Sequence, residues 1–119
     1  GGTQRLPRLV GKGYAMELLL SGKMITSKEA LQIKLINKVL DSKEELLLEC
    51  EKIAKEIIKN SPIAIKKTIK AINDGESQDL SNALEIEADI FADTLSNYND
   101  SIEGLTSFLD KKKPNFSGD

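Results

Sequence analysis

Residues 42–58 read SKEELLLECEKIAKEII and carry the clearest helical pattern in the chain. Apolar side chains recur along this segment every three or four residues, which is the spacing of one buried face of an α-helix. They are Leu46, Cys50, Ile53, Ala54, Ile57 and Ile58. Ser42 and Glu45 have the spacing of a capping box, in which each side chain accepts a hydrogen bond from a free backbone N–H. The segment therefore predicts a helix that begins after Ser42.

Further helices are predicted after this segment. Proline is favoured at the first position of a helix, so the next helix begins at Pro62, and Gly75 ends it. A long helix is predicted over residues 78–96, where apolar side chains follow the helical period on two faces. Asp100 and Glu103 are expected to cap the last helix.

Shorter helical segments come earlier in the chain. Apolar residues at helical spacing predict helices over Thr3–Val10 and Ala15–Ser21, each followed by a glycine. Thr26 and Glu29 have capping-box spacing and predict the start of a third helix. Leu35–Leu40 is short and contains β-branched residues, so it is the one candidate for a strand.

The pattern as a whole indicates one helical domain. We expect an all-α fold, a compact array of about six to seven short helices with at most one short extended segment, Leu35–Leu40. No linker or change of composition marks an internal boundary within residues 1–119. With 39% hydrophobic and 30% charged residues, the composition is typical of a globular protein rather than of a disordered tail.

Charge and composition argue against several classes of function. The 17 basic and 19 acidic side chains give a formal charge of −2, so no strong field would attract nucleic acid or an anionic membrane. No apolar run approaches the roughly 20 residues that span a bilayer. Histidine is absent and one cysteine forms neither an internal disulfide nor a zinc cluster, so we expect no metal site and a reducing, cytoplasmic location. The chain begins Gly-Gly-Thr rather than with Met, and we expect a truncated start.

Three features could carry chemistry, and a plainer explanation is favoured for each. Cys50 lies on the apolar stripe between two glutamates that disfavour a thiolate, so we expect core packing rather than nucleophilic catalysis. Glu85, Glu87 and Asp89 alternate along a helix and so point to different faces, which is typical of a solvated surface rather than of an acid–base pair. The lysines at 111–113 are placed to cap a helix C-terminus, with a phosphate or nucleotide contact as the alternative.

Several segments together form a pattern that is more specific than any of these features. They read GGTQRLPRLVG at 1–11, AMELLLSGK at 15–23, TSKEA through LINKV at 26–39, EG at 103–104 and FLDKKKPNF at 108–116. In this order and register, over the whole chain, they resemble the C-terminal part of the enoyl-CoA hydratase (crotonase) family. The chain departs from the family pattern at Lys34, where the family has a glycine after a helix. If that position needs a positive φ, the lysine costs about 1 kcal/mol.

The resemblance implies an enzyme that acts on acyl-CoA thioesters. Crotonase enzymes stabilise an enolate in an oxyanion hole, and their hydratases add water across a double bond with two glutamates. These groups precede the family segment that matches residues 1–3, so we expect no catalytic residue in this chain and no activity from it alone. The resemblance implies a C-terminal fragment of an enoyl-CoA hydratase, a lyase of fatty acid metabolism, of the short-chain enoyl-CoA or 3-hydroxybutyryl-CoA dehydratase type. It implies no cofactor, because coenzyme A is part of the substrate.

The resemblance also implies where this segment would act. In the family, the C-terminal helices form the contacts of a homotrimer or of a dimer of trimers and cover the CoA site. Gly1 and Gly2 match a loop at the border of the acyl pocket, although by themselves they also fit a plain turn. Phe91 and Lys111 match an aromatic and a lysine that approach the CoA nucleotide, partly from a neighbouring subunit. Phe91 by itself fits a helix core equally well.

Two alternatives stay open at this point. The chain could belong to a crotonase-family isomerase or synthase, because the residues that decide the reaction precede this segment in the family. It could instead be a non-enzymatic helical interaction module. The upstream sequence would separate the two, since only a crotonase enzyme needs a β/α core with an oxyanion-hole loop there.

Overall fold

The computed structural model describes all 119 residues, Gly1–Asp119, and places them in seven α-helices without a β-strand. The helices are α1 (Gly2–Val10), α2 (Lys12–Ser21), α3 (Ser27–Gln32), α4 (Lys43–Ile57), α5 (Pro62–Gly75), α6 (Leu80–Asn97) and α7 (Asn99–Leu109). The prediction of an all-α fold is therefore confirmed. Leu35–Leu40 forms bends and irregular chain, not a strand. None of the helices combines the length and the apolar character needed to cross a membrane.

The chain divides into two units, residues 1–50 and 51–119. In the first unit α1 packs against α2, and in the second unit α5 packs along α6 while α7 contacts α6 more briefly. The organisation of residues 1–119 as one domain stays a prediction.

Local sequence signals set two helix starts. The N–H of Glu29 donates to Oγ1 of Thr26 at 3.2 Å, and the N–H of Thr26 donates to the Glu29 carboxylate at 2.8 Å, which completes the predicted capping box of α3. The N–H of Glu45 likewise donates to Oγ of Ser42 at 3.1 Å. The Glu45 carboxylate, however, accepts from the N–H of Asp41 rather than from that of Ser42. In the second capping box, the bond to the Ser42 hydroxyl forms as predicted, and the bond to the Glu45 carboxylate comes from the residue before Ser42.

Lys34 occupies the left-handed position that ends α3, with a φ of 62°. The N–H of Leu35 donates to the carbonyl of Ala30 at 2.9 Å, and the N–H of Lys34 donates to that of Leu31 at 3.0 Å. This pair of bonds is the Schellman arrangement, which normally places glycine at the left-handed residue. The positive φ expected from the family pattern is thus present, and a lysine adopts it.

The second unit is built on the packing of α5 against α6. Ser61 caps α5, because its Oγ accepts from two N–H groups of the first turn at 3.1 and 3.2 Å. Pro62 follows at the first helical position, as predicted. An ion pair between Lys67 of α5 and Asp93 of α6 joins the two helices, and the Lys67 ammonium lies 5.1 Å from the ring centroid of Tyr98.

The last helix does not begin as predicted. Its first residue is Asn99, and Tyr98 precedes it with extended backbone and no side-chain cap. Asp100 and Glu103 lie inside α7, and their carboxylates bind backbone N–H groups of residues 115–118 instead of capping the helix. The spacing of the two acids suggested a local cap, but in the fold a returning segment of chain provides the donors.

Most large apolar side chains are exposed. The buried apolar residues are two alanines, Ala15 and Ala30. Cys50, predicted to pack in a core, is exposed. That prediction was wrong because the stripe of α4 that carries Cys50 is uncovered, with Leu46 and Ile53 also exposed. An amphipathic pattern predicts which face of a helix is to be covered but not what covers it.

Candidate functional site

Lys111 lies in the tight turn that ends α7. Its φ is 55°, and its N–H donates to the carbonyl of Phe108 at 3.3 Å, while the N–H of Lys112 donates to that of Ser107 at 2.9 Å. This is a second Schellman arrangement with lysine at the left-handed residue. The Lys111 side chain is exposed, and its ammonium has no hydrogen-bond or ion-pair partner in the chain. Lys112, by contrast, pairs with Asp110 at 3.0 Å. The Lys111 ammonium is therefore free to bind an anionic ligand.

Phe108 is an aromatic side chain in the last turn of α7, next to the turn that contains Lys111. It is 80% exposed, against 62% for Phe91. Phe108 and Lys111 are three residues apart, so the ring and the ammonium lie at the same end of α7. The Phe-x-x-Lys spacing within residues 108–116 was the signal that could have found it.

Residues 115–119 form a strap that runs back along α7 towards the start of that helix. The N–H of Asn115 donates to Oε1 of Glu103 at 2.8 Å. The ring of Phe116 lies beside Gly104, where an added Cβ would come 3.5 Å from a ring carbon. The strap therefore follows α7 closely, with its aromatic side chain packed beside residue 104 of the helix.

Asp100 is the buried carboxylate that holds the far end of the strap. It is 3% exposed, and its Oδ1 accepts from the N–H groups of Ser117 at 2.8 Å and Gly118 at 3.2 Å. Its Oδ2 accepts from the hydroxyl of Ser61 at 2.5 Å. The Ser61 bond, followed by those from Gly118 and Ser117, holds the pKa of Asp100 below its ordinary value, although burial acts to raise it. The charged carboxylate thus ties α5, α7 and the strap together.

Phe91 lies in a groove between α5 and α6. The groove has a volume of about 340 Å³ and a mainly apolar lining, with Lys67 and Glu87 as its charged residues. The ion pair with Asp93 raises the pKa of Lys67, so this ammonium is already occupied. Lys111 is not among the residues that line the groove. Phe91 and Lys111, predicted to approach one ligand, therefore do not share this groove.

Gly1 and Gly2 begin the first unit. Gly1 precedes α1 and makes no side-chain cap, and its carbonyl accepts from the N–H of Arg5 at 3.0 Å. The first N–H groups of a helix have no acceptor within it, so those of Gly2 and Thr3 can bind an oxygen of a ligand. A plain turn before a helix would have the same geometry.

The acidic residues of α6 do not converge. Glu85, Glu87 and Asp89 are all exposed, as expected for a solvated face. No group of three or more His, Cys, Asp or Glu side chains is placed to hold a metal ion. The candidate chemistry of the chain is therefore binding by the Lys111 turn and by the first N–H groups of α1.

The chain is similar to known proteins along its whole length. The sequence model described as Enoyl-CoA hydratase/isomerase matches residues 1–119. The chain belongs to the enoyl-CoA hydratase/isomerase family. This family member is 46% identical over 116 residues to the crotonyl-CoA hydratase of Syntrophomonas wolfei, covering 98% of this chain and 44% of the relative. It is 41% identical over 113 residues to the short-chain-enoyl-CoA hydratase of Clostridium acetobutylicum, covering 95% and 42%.

Solved structures of the family share the helical arrangement. An enoyl-CoA hydratase from Bacillus anthracis superposes with a TM-score of 0.92 and 36% identity over 100% of this chain and 45% of its own. One from Geobacillus kaustophilus gives a TM-score of 0.91 and 34% identity, covering 100% and 44%. The chain spans less than half the length of each of these relatives.

Proposed function

We propose that the chain is the C-terminal helical part of an enoyl-CoA hydratase that acts on short-chain enoyl-CoA thioesters, of the 3-hydroxybutyryl-CoA dehydratase type. The main support for this proposal is the 46% identity, along nearly the whole chain, to a crotonyl-CoA hydratase. Because the chain spans 44% of that relative, we assign the oxyanion hole and the two glutamates to the part of the enzyme that these residues do not span. The 119 residues alone are then inactive.

Within such an enzyme, the helices would cover the acyl-CoA site and form contacts of a homotrimer or of a dimer of trimers. The uncovered apolar stripes support this role. On α6, the apolar side chains that recur at helical spacing are all more than half exposed, and they are Leu80, Leu84, Phe91 and Leu95. A long apolar stripe in contact with water is unfavourable, so in a stable assembly another protein surface would cover it. A homo-oligomer in solution is therefore expected of the complete enzyme.

The turn at the end of α7 would bind the nucleotide of coenzyme A. The nucleotide offers phosphates and an adenine ring, and this end of α7 offers a free ammonium, Lys111, and an exposed ring, Phe108. Phe91 stays a second candidate for the adenine, since it is also exposed. Gly1 and Gly2 would border the acyl chain. No cofactor beyond the substrate's own coenzyme A is proposed, and a cytoplasmic location stays a prediction.

The reaction is tested with the complete gene product that contains this chain. Crotonyl-CoA would be supplied, and loss of the conjugated thioester absorbance would be followed together with formation of 3-hydroxybutyryl-CoA. A hydratase converts crotonyl-CoA, whereas an isomerase of the same family would interconvert 2- and 3-enoyl-CoA without adding water. A protein that does neither and binds no acyl-CoA would be a helical interaction module, and the proposal would be wrong.

A further inference from the structure

Lys111 lies where the chain reverses between α7 and the strap. On one side, the Schellman bonds from the Lys111 and Lys112 N–H groups fix the turn to the last residues of α7. On the other side, the strap is bound to the same helix by the carboxylates of Glu103 and Asp100. The turn is thus held at both of its ends, and residues 112–114 join Lys111 to the strap.

The two carboxylates bind the strap in different environments. Glu103 accepts the Asn115 N–H at a partly exposed position, whereas Asp100 is 3% exposed and binds two N–H groups and the Ser61 hydroxyl. A buried carboxylate that is fully hydrogen-bonded leaves little freedom for the groups that it binds. Asp100 is therefore the firmer of the two anchors.

Gly118 shows how closely the strap is seated. Its φ is +86°, and a Cβ added there would come 3.0 Å from Cγ of Pro62 at the start of α5. An L side chain at this position would meet both backbone strain and a neighbouring ring. Glycine lets residue 118 donate its N–H to Asp100 without either cost.

We infer that Asp100, Glu103 and Gly118 are positioning residues for coenzyme A binding, because they seat the strap that fixes the Lys111 turn. This inference rests on the proposed function, in which Lys111 contacts the nucleotide of an acyl-CoA. The strap residues do not touch the substrate in this scheme. They fix the backbone of the Lys111 turn, so that the cost of ordering the turn is met by folding rather than by each binding event.

The test measures kcat and KM of the complete gene product for crotonyl-CoA and for crotonyl-pantetheine, which lacks the nucleotide. Lys111→Ala should raise KM for crotonyl-CoA about threefold to fivefold and leave kcat and the pantetheine KM unchanged. Gly118→Ala and Asp100→Asn should reproduce that pattern. When either substitution is combined with Lys111→Ala, KM for crotonyl-CoA should rise no further than in Lys111→Ala alone, because all three act through the same ammonium.

Gly22→Ala is the matched control. Gly22 also has a positive φ, +63°, but an added Cβ would meet no atom within 4 Å, and the residue lies outside the strap. It should lower stability without changing either KM. If Asp100→Asn fails to fold, Gly118→Ala keeps all bonds of the Asp100 side chain to α5 and still displaces the strap.

The outcomes separate the two claims. If Lys111→Ala has no effect on KM for crotonyl-CoA, the proposed nucleotide contact fails, and the inference fails with it. If Lys111→Ala raises that KM but Gly118→Ala and Asp100→Asn do not, the contact stands and the positioning role is overturned. A strap variant that raises KM equally for both substrates also overturns it, since the nucleotide would then play no part.

Discussion

The hydroxyl of Ser61 donates a 2.5 Å hydrogen bond to Oδ2 of Asp100, 39 residues further along the chain. The same hydroxyl oxygen accepts two N–H groups and so caps α5. The opposite carboxylate oxygen of Asp100 accepts the N–H groups of the strap. Ser61 is 6% exposed and Asp100 is 3% exposed, so water does not replace either partner. This buried pair therefore holds together the start of α5, the helix α7 and the strap.

Asp100→Asn should lower the free energy of unfolding at neutral pH, and the difference from the unchanged protein should be smaller in acid. The pKa of Asp100 is lowered in the folded state, so its charge contributes stability above the unfolded pKa of about 3.9. That contribution is lost as the pH falls through the folded pKa. Urea unfolding of both proteins across the acid range should show their midpoints converging below about pH 4. Asp89→Asn, at an exposed position, is the control and should show no such convergence. A constant gap at every pH would contradict the role of the charge.

Lys34→Gly should stabilise the protein by about 1 kcal/mol, because glycine adopts a φ of 62° without the strain that a Cβ causes. Its Schellman bonds use only backbone groups, so they are kept in the variant. Lys52→Gly, inside α4, is the matched control and should destabilise by a similar amount, about 1 kcal/mol. Chemical unfolding measures both. A loss of stability in Lys34→Gly would mean that the lysine side chain makes a compensating contact.

Phe108→Ala and Phe91→Ala should differ in their effects on acyl-CoA binding. Phe108 is 80% exposed and lies at the Lys111 turn, so its loss should raise KM for crotonyl-CoA about fivefold with little change in stability. Phe91 is less exposed, at 62%, and lines the groove between α5 and α6, so its loss should lower the unfolding midpoint more than the loss of Phe108 and change KM less. Steady-state kinetics and thermal unfolding of the two variants separate the roles. The reverse pattern would assign the adenine contact to Phe91.

Cys50 should report whether the stripe of α4 is covered in the complete protein. In the 119 residues described, its thiol is exposed and lies among exposed apolar side chains. A thiol reagent should modify the isolated chain rapidly and the folded complete gene product slowly, because further protein would cover the stripe. Modification of both after unfolding in urea gives the common reference rate. Equal rates in the folded proteins would show that nothing packs on this face of α4.

The sequence alone predicts those structural features whose stabilising contacts are local. The Thr26–Glu29 capping box and the start of α5 at Pro62 both follow from residues within one helical turn. The family pattern marked Lys34 as a position that can need a positive φ, and the structure shows that it adopts one because the turn is closed by backbone bonds that a lysine also provides.

The sequence was insufficient where a contact joins distant segments. Asp100 looked like a helix cap, yet its carboxylate binds Ser61 and the strap, which only the folded chain brings near it. Cys50 looked like a core residue, because helical spacing predicts a covered face even when the covering surface is elsewhere. The exposure of Phe108 was not predicted, because an exposed ring and a buried ring have the same spacing on a helix.

A chimera with the Syntrophomonas wolfei crotonyl-CoA hydratase, in which these residues replace the matched segment of that enzyme, tests most directly whether the chain is part of an enoyl-CoA hydratase. If the chain is the helical part of an enoyl-CoA hydratase, the chimera should assemble and hydrate crotonyl-CoA with a kcat within about tenfold of the parent's, a difference of about 1.4 kcal/mol in the barrier. The 119 residues alone, assayed in parallel, should show no turnover. A folded chimera that neither binds nor hydrates crotonyl-CoA would contradict the proposal that the chain is the helical part of an enoyl-CoA hydratase.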